Sequence, residues 1–446
     1  MLPSTTSKKV SGEIAVSRLN YPEKVKNVPQ LTKLVAQFSI KNISELLEII
    51  FLGAIDLEAS DIHFETEQEQ TKIRLRLDGV LQDLAKIQPQ NYQPLLSRLK
   101  LVSGVKLNIS DRPQDGRFSI VEHRITADQS AKVVDLPIEV RLSTLPTEYG
   151  ESLVLRILNP KSLISLEELG LRSDLLKIFR QQISKPNGMI IVTGPTGSGK
   201  TTTLYAFLKE VQNPKIKVIT IEDPIEYRLE GISQTQTEPE KGYNFASGLK
   251  AIVRQDPDVI LVGEIRDLET ADISLQAALT GHLVFSTLHT NDAAGTIARL
   301  IDLGVEPPSI ASAINSIVAQ RLIRKVCQKC AEFKTIPEQV FERMNRSLKF
   351  LPSNVDIPKL TKETKIPYAK GCEDCGFTGY RGRLGVFETI IVDTEMDRFI
   401  QAKPPTSSVK ELAIKKGLIT MYQDGLIKVL NKVTTLDELE RVVEPD

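Results

Sequence analysis

The spacing of hydrophobic residues changes along the chain, and its first part is typical of a mixed domain. Apolar residues recur at helical spacing in ISELLEIIFLGAI, which begins at Ile43. Apolar and polar residues then alternate, as in half-buried strands, in SDIHFE, TKIRLRLDG, GRFSIVE and DLPIEVRLSTL. A further helix, QPLLSRLKLVSGV, is predicted between two of these stretches. The pattern predicts an α+β domain with an antiparallel sheet over residues 42–160.

A second pattern follows a predicted linker at residues 161–170. Longer helices alternate there with the short apolar stretches GMIIVTG, KVITIED, DVILVGE and HLVFSTL. Strands that alternate with helices favour a mostly parallel sheet covered on both faces. We therefore predict an α/β domain over 171–446, with a cysteine-bounded insert at 326–380 and a helical part at 395–446.

The N-terminal segment, residues 1–41, is predicted to be weakly structured. Pro3, Pro22 and Pro29 interrupt it, and its basic residues outnumber its acidic ones. The segment is either a flexible tail or a docking arm for a partner.

Composition limits the classes of function. The chain has 446 residues, of which 41% are hydrophobic, and its 57 basic and 57 acidic residues balance. A nucleic-acid-binding surface normally needs a basic excess, so no nucleic-acid partner is expected. No apolar run has the length of a membrane-spanning helix, and the start lacks the apolar core of a signal peptide. We expect a cytoplasmic protein.

A phosphate-binding motif is the strongest chemical signal. GPTGSGKT fits G-x-x-x-x-G-K-[ST] between a predicted strand, MIIVT, and a predicted helix, TTTLYAFLKEV. Glycines let backbone N–H groups approach phosphates, and the helix N-terminus favours the same anion. Lys200 is expected to bridge the β- and γ-phosphates of ATP and Thr201 to bind Mg²⁺. The predicted nucleotide-binding residues are Gly194, Pro195, Thr196, Gly197, Ser198, Gly199, Lys200, Thr201 and Thr202.

Three later segments place acidic residues or a histidine at the ends of apolar strands. They carry Glu222 after VITI, Glu264 after VILV and His289 after HLVF. Ligands bind at such strand ends in open α/β sheets. P-loop proteins usually have an aspartate for Mg²⁺ where Gly263 stands, so Glu264 must hold the metal alone or share acidic work with Glu222.

These motifs resemble a known family. GPTGSGKTTTLY, TIEDPIEY, RQDPDVILVGEIRD and TGHLVFSTLHTNDA are similar to the P-loop, Asp box, Walker B and His box of the secretion ATPase superfamily. The resemblance covers roughly residues 42–446 and is closest to the type II secretion and type IV pilus assembly ATPases, in which Gly263 is normal. It implies a RecA-like P-loop core preceded by a PAS-like domain that closes over the nucleotide.

The resemblance also implies roles for two arginines. In such ATPases two arginines of the first domain reach the γ-phosphate, and Arg141 and Arg156 occupy the matching positions. An arginine there neutralises charge that develops on the transferred phosphoryl group. Relatives often read GER where this chain reads Gly150-Glu151-Ser152, so one nearby basic contact is missing.

Further roles follow from the same resemblance. Glu222 matches the Asp-box glutamate, a candidate general base, and Glu264 matches the Walker B acid, which holds water or Mg²⁺. Which acid does which task stays open. His289, and less strongly His282, are candidate γ-phosphate sensors. Two weaker candidates are Arg266 and Arg321.

The cysteines form two C-x-x-C pairs. Cys327, Cys330, Cys372 and Cys375 can supply four sulfurs to a structural Zn²⁺ ion. Uncoordinated thiols or a redox pair are the alternatives. The family resemblance implies that such inserts occur in assembly ATPases and are typically absent from retraction ATPases.

The resemblance predicts a complete function. The chain would be a hexameric motor that hydrolyses ATP, binds an inner-membrane platform protein and is peripherally associated with the inner membrane through partners. Its product would be a type IV pilus or a type II secretion pseudopilus. Three alternatives stay open, namely a nucleic-acid-translocating motor, an ATP-binding scaffold without turnover, and a retraction motor.

Overall fold

The chain folds into two compact units. The computed structural model describes residues 12–17, 23–37, 42–123, 136–159, 164–349, 351–352 and 355–445. The first unit consists of residues 1–162 with 370–379, and the second of residues 163–369 with 380–446.

A seven-stranded sheet forms the first unit. Its strands are β1 (Glu13–Ser17), β2 (Asp61–Thr66), β3 (Thr71–Leu77), β4 (Val80–Ile87), β5 (Gln114–His123), β6 (Leu136–Thr147) and β7 (Gly150–Leu158). Their order is β1-β5-β6-β7-β2-β3-β4, and every neighbouring pair is antiparallel except β1 with β5. The alternation in the sequence identifies β2, β3, β5 and β6. It misses β7 and β4. The pairing of β4, an edge strand, with β3 shifts register between Ile73 and Arg74.

One face of this sheet is buried beneath helices. The helices are α1 (Val28–Gln37), α2 (Ile43–Asp56) and α3 (Pro89–Val102). Ile62 and Phe64 of β2 belong to the same hydrophobic core as Phe51 of α2. Successive side chains of a strand point to opposite faces, so Asp61 and His63 belong to the other, polar face.

The N-terminal segment differs from its prediction in the residues that the structure describes. β1 pairs with β5, and α1 buries Val28, Leu31 and Val35. Pro29 lies in the first turn of α1, where proline is tolerated because that N–H has no helical partner. It therefore starts a helix rather than interrupting one. Residues 1–11, 18–22 and 38–41 of this prediction lie outside the described residues.

The second unit contains a seven-stranded sheet and a two-stranded one. Its strands are β8 (Gly188–Thr193), β9 (Val218–Glu222), β10 (Ser233–Gln236), β11 (Val259–Val262), β12 (Leu283–Leu288), β13 (Ile314–Val326), β14 (Glu332–Thr335), β15 (Lys365–Tyr368) and β16 (Tyr380–Ile391). The large sheet has the order β10-β9-β11-β12-β8-β13-β16, and all its pairs are parallel except β13 with β16. The four strands predicted from apolar stretches, β8, β9, β11 and β12, are confirmed.

Helices cover both faces of the large sheet. They are α4 (Ser173–Ile183), α5 (Lys200–Val211), α6 (Phe245–Val253), α7 (Leu268–Leu279), α8 (Ala293–Asp302), α9 (Pro307–Ala313), α10 (Glu338–Leu348), α11 (Thr394–Gln401), α12 (Thr406–Lys415), α13 (Met421–Leu430) and α14 (Leu436–Val442). Alternate residues of β8 enter two different cores: Met189 and Ile191 pack in one, Ile190 and Val192 in the other. Burial on both faces explains why these strands are apolar without alternation.

The predicted insert is a separate excursion between β13 and β16. β14 and β15 pair as an antiparallel ribbon, and α10 lies between them in sequence. Within the described residues, no helix has the length and apolarity needed to cross a bilayer.

The packing of α1 on α2 yields a stability prediction. Leu31 is fully buried, and a Cβ added to Gly53 of α2 would lie 2.4 Å from its methyl carbons. We expect Leu31→Ala to cost about 2 to 5 kcal/mol of unfolding free energy, because the cavity cannot fill completely. Thermal unfolding and amide hydrogen exchange of residues 28–37 measure the effect.

The matched control is Lys33→Ala, which changes an exposed residue of the same helix. It should leave both readouts unchanged. Unprotected amides at 28–37 in the wild type would contradict the packing of α1.

Candidate functional site

The P-loop lies between β8 and α5 and is shaped by crowding. Gly199 caps α5 at a φ of +90°, a left-handed conformation that favours glycine. A Cβ on Gly194 would lie 2.6 Å from the backbone oxygen of Gln320 in β13. The backbone of this loop can therefore curve tightly beside the N-terminus of α5. That arrangement suits phosphate, because N–H groups and the helix dipole both favour an anion.

Lys200 lies over this loop. Its Nζ donates hydrogen bonds to the carbonyl oxygens of Gly194 (2.8 Å) and Pro195 (3.1 Å). Burial lowers the pKa of Lys200 to about 8, and the nearby charge of Glu264 opposes that shift. A phosphate on the loop would offer Lys200 charged acceptors, which bind an ammonium group more strongly than carbonyls do.

Hydroxyl contacts fix the loop to neighbouring strands. The Oγ1 atoms of Thr193 and Thr290 lie 2.7 Å apart, and the backbone N–H of Thr290 donates to Thr193 Oγ1. The Thr203 hydroxyl donates to Gln320 Oε1 at 2.7 Å. The turn that carries His289 is thus bonded to the residue that precedes the P-loop.

Glu264 and His289 meet at the ends of β11 and β12. The His289 Nε2 atom lies 3.5 Å from a Glu264 carboxylate oxygen, and Arg266 Nη2 lies 2.5 Å from the other. Burial first, and then the positive charge of Lys200, lower the pKa of His289 below its ordinary value, so the ring is neutral at pH 7. The structure therefore brings Lys200, Glu264, His289 and Arg266 together at one edge of the sheet.

The environment of Gly263 explains the missing aspartate. A Cβ at this position would lie 3.3 Å from both Glu222 Cα and the Ile221 carbonyl oxygen. The Gly263 N–H also donates to that same oxygen, which holds β11 close to β9. A side chain here would have to displace this backbone by a few tenths of an ångström. The acid at the end of β11 is Glu264, one residue later.

Glu222 has a different environment from Glu264. Its carboxylate is buried and accepts hydrogen bonds from Tyr205, from Thr220 Oγ1 (2.5 Å) and from Gln234 Nε2 (3.1 Å). Burial raises its pKa above the ordinary range. Three donors therefore fix this carboxylate inside the unit.

Sequence reasoning overlooked Glu226 on the loop after β9. Its negative charge is one cause of the raised pKa of Glu222, so the two carboxylates are close, and Glu226 is only half-buried. The signal was available, because Glu226 lies in the same TIEDPIEY motif.

The weaker candidate residues, Arg321 and His282, lie at different places in the unit. Arg321 donates to the backbone oxygens of Asn291 (2.9 Å) and Gln320 (3.0 Å), and its charge acts on Lys200. His282 precedes β12, whereas His289 follows it, so the two histidines are about 20 Å apart along the strand. The interpretation of His282 as a phosphate sensor is wrong.

Arg141 and Arg156 lie in the first unit. They are directly opposite each other on β6 and β7. The Nε of Arg156 donates to Asp61 at 3.1 Å, while its side chain is 57% exposed. Their predicted contact with the γ-phosphate stays a prediction.

The four cysteines converge as the sequence predicts. The sulfurs of Cys327, Cys330, Cys372 and Cys375 all lie within 4.8 Å of one another. Cys372 and Cys375 sulfurs are 3.8 Å apart, which is the separation of about 3.8 Å that tetrahedral zinc with Zn–S bonds of about 2.3 Å requires. Backbone N–H groups of Cys372 and Gly379 also donate to the Cys375 sulfur. The donor set fits a thiolate-bound metal.

Known proteins resemble nearly the whole chain. A family model described as type II/IV secretion system protein matches residues 37–441. The type II secretion system protein E of Xanthomonas campestris pv. campestris is 42% identical over 407 residues, which are 90% of this chain and 67% of that protein. The type IV pilus assembly ATPase PilB of Thermus thermophilus is 41% identical over 420 residues, which are 94% of this chain and 44% of that protein.

A solved structure shares the fold. It is described as the pilus retraction motor PilT with bound ADP, and it matches with a TM-score of 0.56 and 27% identity. The match covers 88% of this chain and 95% of that chain.

The crowding at Gly263 yields a prediction. We expect Gly263→Asp to lower the free energy of unfolding by about 1 to 3 kcal/mol, because the added atoms overpack the contact with β9. Gly263→Ala adds only the Cβ and should reproduce most of that loss, which separates steric from charge effects. Thermal unfolding measures both variants. Wild-type stability in both would show that crowding does not exclude a side chain here.

Proposed function

The chain belongs to the type II/IV secretion system protein family, and from this premise we propose that it is the ATP-hydrolysing motor of a type II secretion or type IV pilus assembly machine. One observation carries the proposal: the P-loop lysine, Lys200, lies beside Glu264 and His289 at a single edge of a parallel sheet. A phosphate cradle next to an acid is the arrangement that phosphoryl transfer to water needs.

The residues fit ATP and Mg²⁺. The backbone of residues 194–202 would hold the phosphates. The lack of room for a Cβ at Gly194, beside Gln320, supports a tightly curved loop. Thr201, in the first turn of α5, and Glu264 would hold Mg²⁺. When bound, the metal would supply positive charge to the phosphate oxygens.

The protein's own groups would then position the reaction. Lys200 places its charge on the β- and γ-phosphates, and Glu264 orients the attacking water. The water oxygen bonds to the γ-phosphorus as the bond to the β–γ bridging oxygen breaks. ADP leaves with that oxygen, and a proton of the water passes to the Glu264 carboxylate. Neutral His289 would sense the γ-phosphate and, through its contact with Glu264, couple phosphate binding to the position of that carboxylate. Catalysis of this kind rests on positioning and charge stabilisation.

The acidic tasks divide between anchored and accessible carboxylates. Glu222 is held by three donors and serves as an anchor between α5, β9 and β10. Glu226 is the less buried carboxylate of the same loop, and we assign it the second acidic role. Glu222, the base expected from the sequence, stays the alternative to Glu226.

The first unit would complete the site. We propose that the domain over residues 42–160 is PAS-like, closes over the nucleotide and delivers Arg141 and Arg156 to the γ-phosphate. Their guanidinium groups would neutralise charge on the transferred phosphoryl.

The proposed partners follow from the family. Six chains would form a ring, and closure and release around it would drive an inner-membrane platform protein. The motor would act in the cytoplasm, at the membrane only through partners and without nucleic acid. The cysteine cluster supports a structural Zn²⁺ ion, and with it assembly rather than retraction.

Three glutamine substitutions test the acidic roles. Glu264→Gln and Glu226→Gln should lower kcat by about a hundredfold or more while ATP binding and the unfolding temperature are kept, because each removes a positioned acid. Glu222→Gln should lower the unfolding temperature, because it disrupts a buried set of hydrogen bonds. Steady-state phosphate release and calorimetric ATP binding are the measurements.

The outcomes discriminate between assignments. Loss of turnover in Glu222→Gln at unchanged stability would show that Glu222 acts chemically. Full turnover in Glu264→Gln would contradict the proposed site altogether.

Metal analysis tests the zinc proposal. Freshly purified protein should contain one zinc ion per chain, and Cys372→Ser should lose it because three sulfurs bind zinc less well than four. Phe377→Asn is the control, since it changes an exposed side chain of the same knuckle at a left-handed φ that asparagine accepts. Wild-type protein without zinc would overturn the proposal.

A further inference from the structure

A row of charged residues crosses the polar face of the sheet in the first unit. Going from β3 to β5, directly opposed residues are Arg76, Asp61, Arg156, Arg141 and Arg117. Directly opposed residues of antiparallel strands point to the same face, with Cα atoms about 4.5 to 5.5 Å apart. Four arginines and one aspartate therefore share one line.

The row on one side of this line, on the same face, is not strongly charged. Its residues, two positions along each strand, are Arg74, His63, Val154, Ser143 and Asp115. On the other side, Glu139 of β6 lies 3.8 Å from Arg141 Nε. Positive charge is thus concentrated in the first row, and Asp61 is the only acid in it.

Asp61 binds two of these arginines at once. Its Oδ1 accepts from Arg156 Nε at 3.1 Å, and its Oδ2 lies 3.3 Å from Arg76 Nε and accepts from the Ser60 hydroxyl at 2.9 Å. The carboxylate is 7% exposed, so it cannot turn away to solvent without disrupting the sheet face.

The two arginines differ in what else holds them. Arg76 also donates from Nη1 to the Gly79 carbonyl, in the turn between β3 and β4. Within the described residues, Arg156 makes one side-chain hydrogen bond, from Nε to Asp61. Its terminal nitrogens lie on an exposed side chain and keep their four N–H donors for another acceptor.

We propose that Asp61 is a positioning residue that orients Arg156 for the γ-phosphate. This inference rests on the proposed function, in which Arg156 reaches the nucleotide. Asp61 holds the guanidinium group through Nε before phosphate binds. Arg156 therefore loses less side-chain conformational entropy when it binds phosphate. It also offsets the repulsion between Arg156 and its arginine neighbours, which would otherwise favour turning Arg156 away.

A double-mutant cycle on the full-length chain tests the proposal. Steady-state kcat and KM for ATP are measured for wild type, Asp61→Asn, Arg156→Ala and the double variant. Asp61→Asn should lower kcat about tenfold to a hundredfold with little change in KM, because Arg156 is misplaced rather than removed. The double variant should match Arg156→Ala alone, since Asp61 acts through that residue.

Controls separate positioning from folding. Asp83→Asn removes one of the two acidic partners of Arg74 on the same sheet without touching Arg156, and it should leave kcat unchanged. If Asp61→Asn fails to fold, Asp61→Asn combined with Arg76→Met restores the charge balance of the row and replaces it in the cycle. Unfolding temperature and ATP affinity are recorded for every variant.

Three results overturn the inference. If Asp61→Asn lowers kcat by the same factor with Arg156 present and absent, Asp61 acts independently of it. If Asp61→Asn leaves kcat unchanged while Arg156→Ala lowers it, orientation by Asp61 is unnecessary and the proposed function still stands. If Arg156→Ala leaves kcat unchanged, the role of the arginine in the proposed function is wrong. The inference about Asp61 is then wrong as well.

Discussion

The close approach of the P-loop to β13 is the constraint on which the candidate site depends. Gly194 lies so close to the backbone oxygen of Gln320 that a Cβ would not fit. The Gln320 side chain also accepts a hydrogen bond from the Thr203 hydroxyl of α5. The loop, the helix start and the strand are therefore fixed together. This fixes where Lys200 begins its helix, and Thr290 ties the loop to the end of β12. Charge can be stabilised only by groups that are already in place.

Crowding and burial also give the acidic residues different environments. Gly263 presses against β9, so the acid of β11 moves one residue further, to Glu264, and meets His289. The Glu222 carboxylate is close by, but it is buried and accepts three hydrogen bonds. Its hydrogen bonds join α5, β9 and β10. In the first unit, buried Asp61 likewise holds exposed Arg156.

Much of this could be predicted from the sequence, and the failures have physical causes. β8, β9, β11 and β12 were predictable because burial on both faces demands continuous apolar runs, and the P-loop because its glycines are required by geometry. The order of the motifs along the sequence does not show which strand ends lie close together in the fold. His282 and His289 flank the same strand, yet only one is at the site. Likewise the sequence cannot distinguish buried Glu222 from half-buried Glu226, and Pro29 appears as an interruption although it starts α1.

The decisive measurement is magnesium-dependent phosphate release by the purified wild-type chain, with particle mass recorded in the same samples. An ATP-driven motor should hydrolyse ATP steadily in a particle of six chains, and hydrolysis should stop when Mg²⁺ is withheld. ATP binding at the P-loop without phosphate release from any particle, even with a platform-protein fragment present, would contradict it. The chain would then be a nucleotide-gated scaffold.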